Sequence, residues 1–171
     1  LLDQSAAAQK LAGVPADAVA FRWLWDGDAA HETMFTALAR AHAARPEIAG
    51  WLYTRAHKWV HRLRLPETGR PPENLAVFAS VDRFNVASAR RAAARHPWLR
   101  LALCGDSWAE TAELAGEMGT GRGLRCPELT GRVPLVNSET RQGACAACRY
   151  CLPGAAGAAG QAHPVRFNTG K

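Results

Sequence analysis

Apolar residues in this chain fall into short runs, separated by stretches in which they recur every three or four positions. Residues 18–25 (AVAFRWLW), 48–54 (IAGWLYT), 74–81 (NLAVFASV) and 98–104 (WLRLALC) are runs of seven or eight residues, with Asp26, Pro46, Asp82, Pro97 and Gly105 at or near their ends. Runs of this length and composition predict buried strands. Between the first two, residues 29–45 place Met34, Leu38 and Ala41 on one helical face, and Pro46 ends the helix. Residues 82–96 predict a second helix, with Asp82 or Asn85 near its start and Pro97 as its stop. Residues 107–118 predict a third, capped by Ser107. Residues 1–11 predict a helix ahead of the first strand, and 122–126 a short fifth strand.

Strands and helices that alternate in this way predict βα units and a parallel sheet, hence an α/β fold. The expected organisation is an α/β core over 1–121 and a C-terminal cysteine-rich, metal-binding segment over 122–171, packed on the same domain. Beyond Cys126 the chain is rich in turn residues, and residues 154–160 (GAAGAAG) are of low complexity.

Parallel α/β sheets gather functional residues at the carboxyl ends of their strands. Those ends carry Asp26 and Asp28, then Thr54, Arg55 and His57, then Ser80, Asp82 and Arg83, then Asp106, then Cys126 and Glu128. Guanidinium forks match carboxylate and phosphate geometry. Asp28, Arg55, Asp82 and Arg83 are therefore the candidates for contacting a small anionic or zwitterionic substrate. The competing reading of each is a loop ion pair or a helix cap, the latter especially for Asp82.

The most direct pointer to chemistry is a set of four cysteines. Cys145, Cys148 and Cys151 form two overlapping Cys-x-x-Cys units, and Cys126 opens Cys126-Pro127-Glu128. The short run brings three sulfurs together, and a remote fourth completes a metal shell. A Cys-x-x-Cys-x-x-Cys run with one remote cysteine, followed by proline, favours a [4Fe-4S] cluster. Zinc (Zn2+) in a closed structural site is the second reading. Disulfides or free thiols are the third, disfavoured because no secretory signal is present. Cys104, at the end of an apolar run, reads as a small buried hydrophobe.

Composition changes this picture little. A chain of 171 residues, 48% hydrophobic and 21% charged, suits one globular domain. No apolar stretch approaches the ~20 residues of a membrane span. The net charge of +6 permits an acidic partner. The basic, aromatic stretch Tyr53, Arg55, His57, Lys58, Trp59, His61, Arg62, Arg64 makes nucleic acid the candidate, in a zinc-stabilised binding module without catalysis. Against it, Trp51, Tyr53 and Trp59 read more simply as core packing, and residues 89–95 (ARRAAAR) as a solvated helix face. The chain opens Leu1-Leu2-Asp3 without an initiator Met, as expected of a fragment or an alternative start. Cysteine usage places it in a reducing compartment, the cytoplasm. His57 and His61 lack the intervening Glu of a metalloprotease helix and read as surface or substrate-facing residues. Residues 119–123 (GTGRG) lack the Lys-Ser/Thr ending of a phosphate loop and read as a turn.

In order along the chain, Phe21–Asp28, Trp51–Arg55, Asn74–Asp82, Cys126–Glu128 and Gly143–Cys151 resemble the actinobacteriophage "gene product 88" family. Members share an Arg-x-x-x-x-Gly-Asp strand end, a Tyr-Thr-Arg strand end, a Ser-x-Asp strand end and a C-terminal cysteine cluster. The resemblance implies a layout similar to partial (β/α) barrels of the radical S-adenosylmethionine type. It also implies an enzyme or enzyme remnant encoded by a phage or prophage. Members usually carry a further N-terminal cysteine motif, and this sequence has no cysteine before Cys104. Its remaining cysteines are then comparable to an auxiliary or structural site.

Overall fold

The computed structural model describes residues 1–14, 19–24, 27–139, 143–155 and 161–170. Six strands, β1 (Ala20–Trp23), β2 (Ala49–Thr54), β3 (Leu75–Val81), β4 (Arg100–Gly105), β5 (Leu124–Arg125) and β6 (Val165–Asn168), form one sheet. Their order is β1-β2-β3-β4-β6-β5 and every pairing is parallel. The α/β class and the parallel sheet expected from the sequence are therefore present. Helix α1 (Leu2–Leu11) precedes the sheet, and α2 (Glu32–Ala43), a 3₁₀ helix (His57–Leu63), α3 (Val86–Arg95) and α4 (Trp108–Glu117) follow β1 to β4 in turn. A short α5 (Ala144–Cys148) lies between β5 and β6.

The sheet has two unlike faces. Strands β1 to β4 follow sequence order, so successive right-handed crossovers put their helices on the same side. Leu52, Val77, Ala79, Val81, Leu101 and Leu103 point to that side and pack on Phe35, Leu38, Val60, Ala89 and Leu114. The alternate positions Trp51, Ala76, Phe78 and Ala102 face the other way, into a cluster with Leu152 and Val165. No helix of the βα series covers this second face; the cysteine segment does.

Strand β6 is the element that the sequence does not announce. The chain returns after α5 to insert Val165–Asn168 between β4 and β5, hydrogen-bonded to both. It is four residues long and carries Arg166 at its centre. That arginine is only 4% exposed and faces α4. Its Nε donates to Thr111 Oγ1 at 3.0 Å, and its terminal nitrogens donate to the carbonyls of Trp108 and Arg122. A buried cation satisfied by neutral acceptors explains why a strand can hold an arginine there. Gly123, at a φ of 66°, begins the β5 approach, and a Cβ there would meet the Pro164 carbonyl at 2.0 Å.

Helix α2 is joined to the sheet by a polar node. His42 is fully buried. Its Nε2 accepts from Trp23 Nε1–H at 2.7 Å, and Asn74 Nδ2 donates to the carbonyls of Arg45 and Ile48 at 2.8 Å. The His42 ring lies so close over Gly50 that a Cβ there would meet it at 2.2 Å. Ser107 caps α4 as expected, its side chain accepting from Glu110 N–H at 3.1 Å. Among the described residues, no helix is long and apolar enough to cross a membrane.

Candidate functional site

All four cysteines of the C-terminal set border one cavity of about 60 Å³ on the face of the sheet away from the βα helices. The floor is built by alternation along the strands. Arg22 of β1, Trp51 and Tyr53 of β2, and Val165 and Phe167 of β6 point into it. The roof is α5 and the turn that follows. Cys145 and Cys148 sit three apart on α5 and so share a face. Arg149 then adopts the left-handed conformation, φ 57°, which ends the helix and brings Cys151 back to the cavity. Arg100 Nη1 donates to the Leu152 carbonyl at 3.2 Å and the Tyr150 hydroxyl to that of His163 at 3.1 Å, tying this turn to the sheet. Cys126 enters from β5, its N–H bonded to the Arg166 carbonyl at 2.9 Å.

The cavity is lined mostly by apolar and sulfur-bearing side chains, with Arg22 and Glu128 as its charged residues. Burial pushes the Cys151 thiol up to about 12, and the nearby Cys145, Cys148 and Cys126 sulfurs push the same way, while the Tyr53 hydroxyl opposes them. Desolvation also raises Cys145, and the Arg22 guanidinium counters it. Arg22 lies over the Tyr53 ring, 5.0 Å from its centroid. Trp51, 6% exposed, presents an indole N–H that is buried without a hydrogen-bond partner. All four thiols are free of disulfides. Among the described residues, no group of three or more Cys, His, Asp or Glu side chains is placed to hold a metal ion between them. The thiols surround a cavity and do not meet at a point.

The four expected substrate contacts are distributed otherwise. The Asp28 carboxylate is taken up by the chain itself. It accepts from Thr54 Oγ1 at 2.6 Å, from Ala29 N–H at 2.7 Å and from Ala56 N–H at 3.0 Å, as well as from Arg55 N–H. Arg55 and Asp82 are brought together as an ion pair, the arginine largely exposed and the aspartate buried. Asp82 also accepts from Phe84 N–H at 2.9 Å, which makes it part of the turn leading into α3. Arg83 lies over the ring of Phe84, 4.7 Å from its centroid, and that ring is 83% exposed. Asp26 lies outside the described residues, as do residues 156–160 of the low-complexity stretch.

His57 corrects the sequence reading of a surface histidine. It is buried, with Nδ1 2.8 Å from Ser88 Oγ and Nε2 3.1 Å from the Ser80 carbonyl. Cys104 is half-buried, and desolvation pushes its thiol up to about 11, in keeping with an inert apolar role. Arg22, Trp51 and Tyr53 escaped sequence reasoning as cavity residues. The available signal was the two-residue period, which puts Trp51 and Tyr53 on the face opposite Leu52.

The family model described as "Gene product 88" matches residues 2–154. The chain is also 31% identical over 138 residues to the Gene 88 protein of Mycobacterium phage D29, an alignment that covers 78% of this chain and 51% of the phage protein. It thus spans about half the length of that relative. No solved structure matches significantly. The matched residues take in β1 to β5, α5 and all four cavity cysteines, and the chain belongs to the gene product 88 family.

Proposed function

We propose that the chain is a cofactor-binding α/β protein in which Cys126, Cys145, Cys148 and Cys151 hold a [4Fe-4S] cluster against the face of the sheet away from the βα helices. The observation that carries this reading is that four thiols border one cavity beside a buried, unpartnered Trp51 N–H and the Arg22 cation. The donor set fits a soft metal. N–H groups and positive charge beside ligand sulfurs suit an anionic cluster better than an empty apolar pocket. Cysteine side chains have a single χ1 torsion, and the shell would close by their rotation together with adjustment of the α5 turn. When bound, such a cluster supplies one-electron transfer. Arg22 would balance ligand charge, Trp51 would donate to a sulfur, and Tyr53 and Phe167 would exclude water.

The finer reading of the fold belongs with this proposal. Strands β1 to β4 run in sequence order with their βα helices on one side; such a series would be a segment of a (β/α) barrel, its inner face carrying the site. At the rim, Arg55 anchored by Asp82 is the group that would meet a small anionic substrate, with Arg83 beside it. Asp28 would position Arg55 through its backbone. Free thiols suit a reducing, cytoplasmic setting.

Iron and acid-labile sulfide content of anaerobically prepared protein, with its absorption spectrum, tests the reading. About four of each per chain with a broad visible band support it. A colourless protein holding one tightly bound zinc replaces it with a structural zinc site.

A further inference from the structure

A second concave site lies on the opposite, helical side of the molecule. Lys58, His61 and Arg64 of the 3₁₀ helix and its end face Arg91, Arg95 and His96 of α3 and its end across a groove of about 440 Å³. No carboxylate lines it. The ion pairs among the described residues involve Arg45, Arg55 and Arg62, and none takes up Lys58, Arg64, Arg91 or Arg95. We propose that this groove binds the phosphate backbone of a nucleic acid.

Two further observations point to a ligand of this class. His96 is 8% exposed, and its Nδ1 is buried without a hydrogen-bond partner while its ring lies 5.2 Å from that of Trp98. A buried polar atom in this state is paired in most proteins, and it belongs to a residue that lines the groove. A neighbouring groove of about 460 Å³ shares His61 and Arg64 and carries the basic lining on to Arg40, and to Arg62, which is paired with Glu32. The cationic path is thus longer than one phosphate requires and matches a chain of them. A concave trough admits a strand and excludes a flat bilayer surface.

Recognition there is electrostatic and independent of base sequence. Trp51 and Tyr53 are turned to the cysteine side of the sheet, and Trp59 is half-buried against the core beneath Lys58 Nζ, 4.4 Å from its ring centroid. Base stacking is therefore no part of the site. The groove shares no residue with the cysteine cavity, so this inference stands or falls separately from the cluster.

The test is fluorescence anisotropy of labelled mixed-sequence DNA, single-stranded and duplex, titrated with the full chain at about 50 and 200 mM salt. Binding at the lower salt that weakens steeply at the higher is expected. Combined R64A/R91A/R95A, at three exposed positions, weakens binding by about tenfold or more and flattens the log–log salt dependence by about 2 to 3. Combined K10A/R122A/R132A removes the same charge from exposed positions elsewhere and leaves affinity within about twofold. Absence of binding at low salt, or equal weakening by both triple variants, overturns the proposal. ATP and phosphatidylserine vesicles are the competing ligands. Capture of either in preference to DNA overturns the nucleic-acid assignment.

Discussion

The His42 ring is held in one protonation state by its neighbours. Nε2 accepts from the Trp23 indole, and Nδ1 lies 3.2 Å from the Asn74 side-chain nitrogen. A second proton would set an N–H against the indole N–H. Burial lowers the pKa of His42 from its ordinary 6.5, and desolvation does the same to His57 and His96. The unfolded chain therefore takes up these protons first as pH falls. Stability is full above about pH 6.5 and declines as pH falls through the lowered folded values. The urea midpoint is predicted to be lower at about pH 5.5 than at about pH 7.5, and a flat profile would contradict this. Beneath the same ring, Gly50→Ala forces a methyl group into the imidazole at 2.2 Å. Overpacking of this kind costs about 1–3 kcal/mol, read from the same urea transition. On the other face, Trp51→Phe removes the indole N–H and keeps an aromatic side chain. Iron content is predicted to hold while the reduction potential of the reconstituted protein falls, because hydrogen bonds to cluster sulfurs raise it. An unchanged potential would remove Trp51 from the cofactor's surroundings.

At the scale of elements, two contacts decide how the sheet is completed. Asp28 fastens the end of β2 to the segment after β1 through Thr54 and the amides of Arg55 and Ala56. Asp28→Ala is predicted to destabilise the fold by about 2 kcal/mol, as expected for loss of charge-assisted hydrogen bonds, measured by denaturant unfolding. Strand β6 pairs with both β4 and β5 and puts Val165 and Phe167 under the cysteines. Removing residues 161–171 is predicted to yield insoluble protein, or protein that takes up no iron; a soluble truncation with full iron content would contradict the role assigned to β6. Strands β1 to β4 were legible because each lies in an apolar run with a turn behind it. In β6 the chain reads Val165, Arg166, Phe167, Asn168, and its arginine breaks the run. What makes Arg166 tolerable is Thr111 and two carbonyls contributed by remote parts of the chain, which no local pattern reveals. Helix ends were legible where proline or serine fixes them, as at Pro46 and Ser107.

For the whole molecule, the cysteine cavity lies against one face of the sheet and the basic groove lies in the helical layer on the other. The cysteine spacing made the first legible: Cys145, Cys148 and Cys151 had to be near one another. That Cys126 joins them follows only from the pairing of β5 with β6. The basic groove was half legible. Lys58, His61 and Arg64 stood out as a stretch, but Arg91 and Arg95 read as a solvated helix face until the 3₁₀ helix and α3 were seen to lie side by side. The substrate candidates show the limit of reading strand ends from sequence. All four follow the carboxyl ends of β1 to β3 in the chain, and the Asp28 carboxylate is engaged by backbone amides and Thr54. The central claim, that the four cavity cysteines bind one cofactor, is tested most directly by iron and sulfide content after anaerobic reconstitution of single serine variants. Cys126→Ser, Cys145→Ser, Cys148→Ser and Cys151→Ser are each predicted to lose most of the iron and visible absorption, while Cys104→Ser retains both. Iron retained in all four cavity variants, or lost equally in Cys104→Ser, would contradict the account.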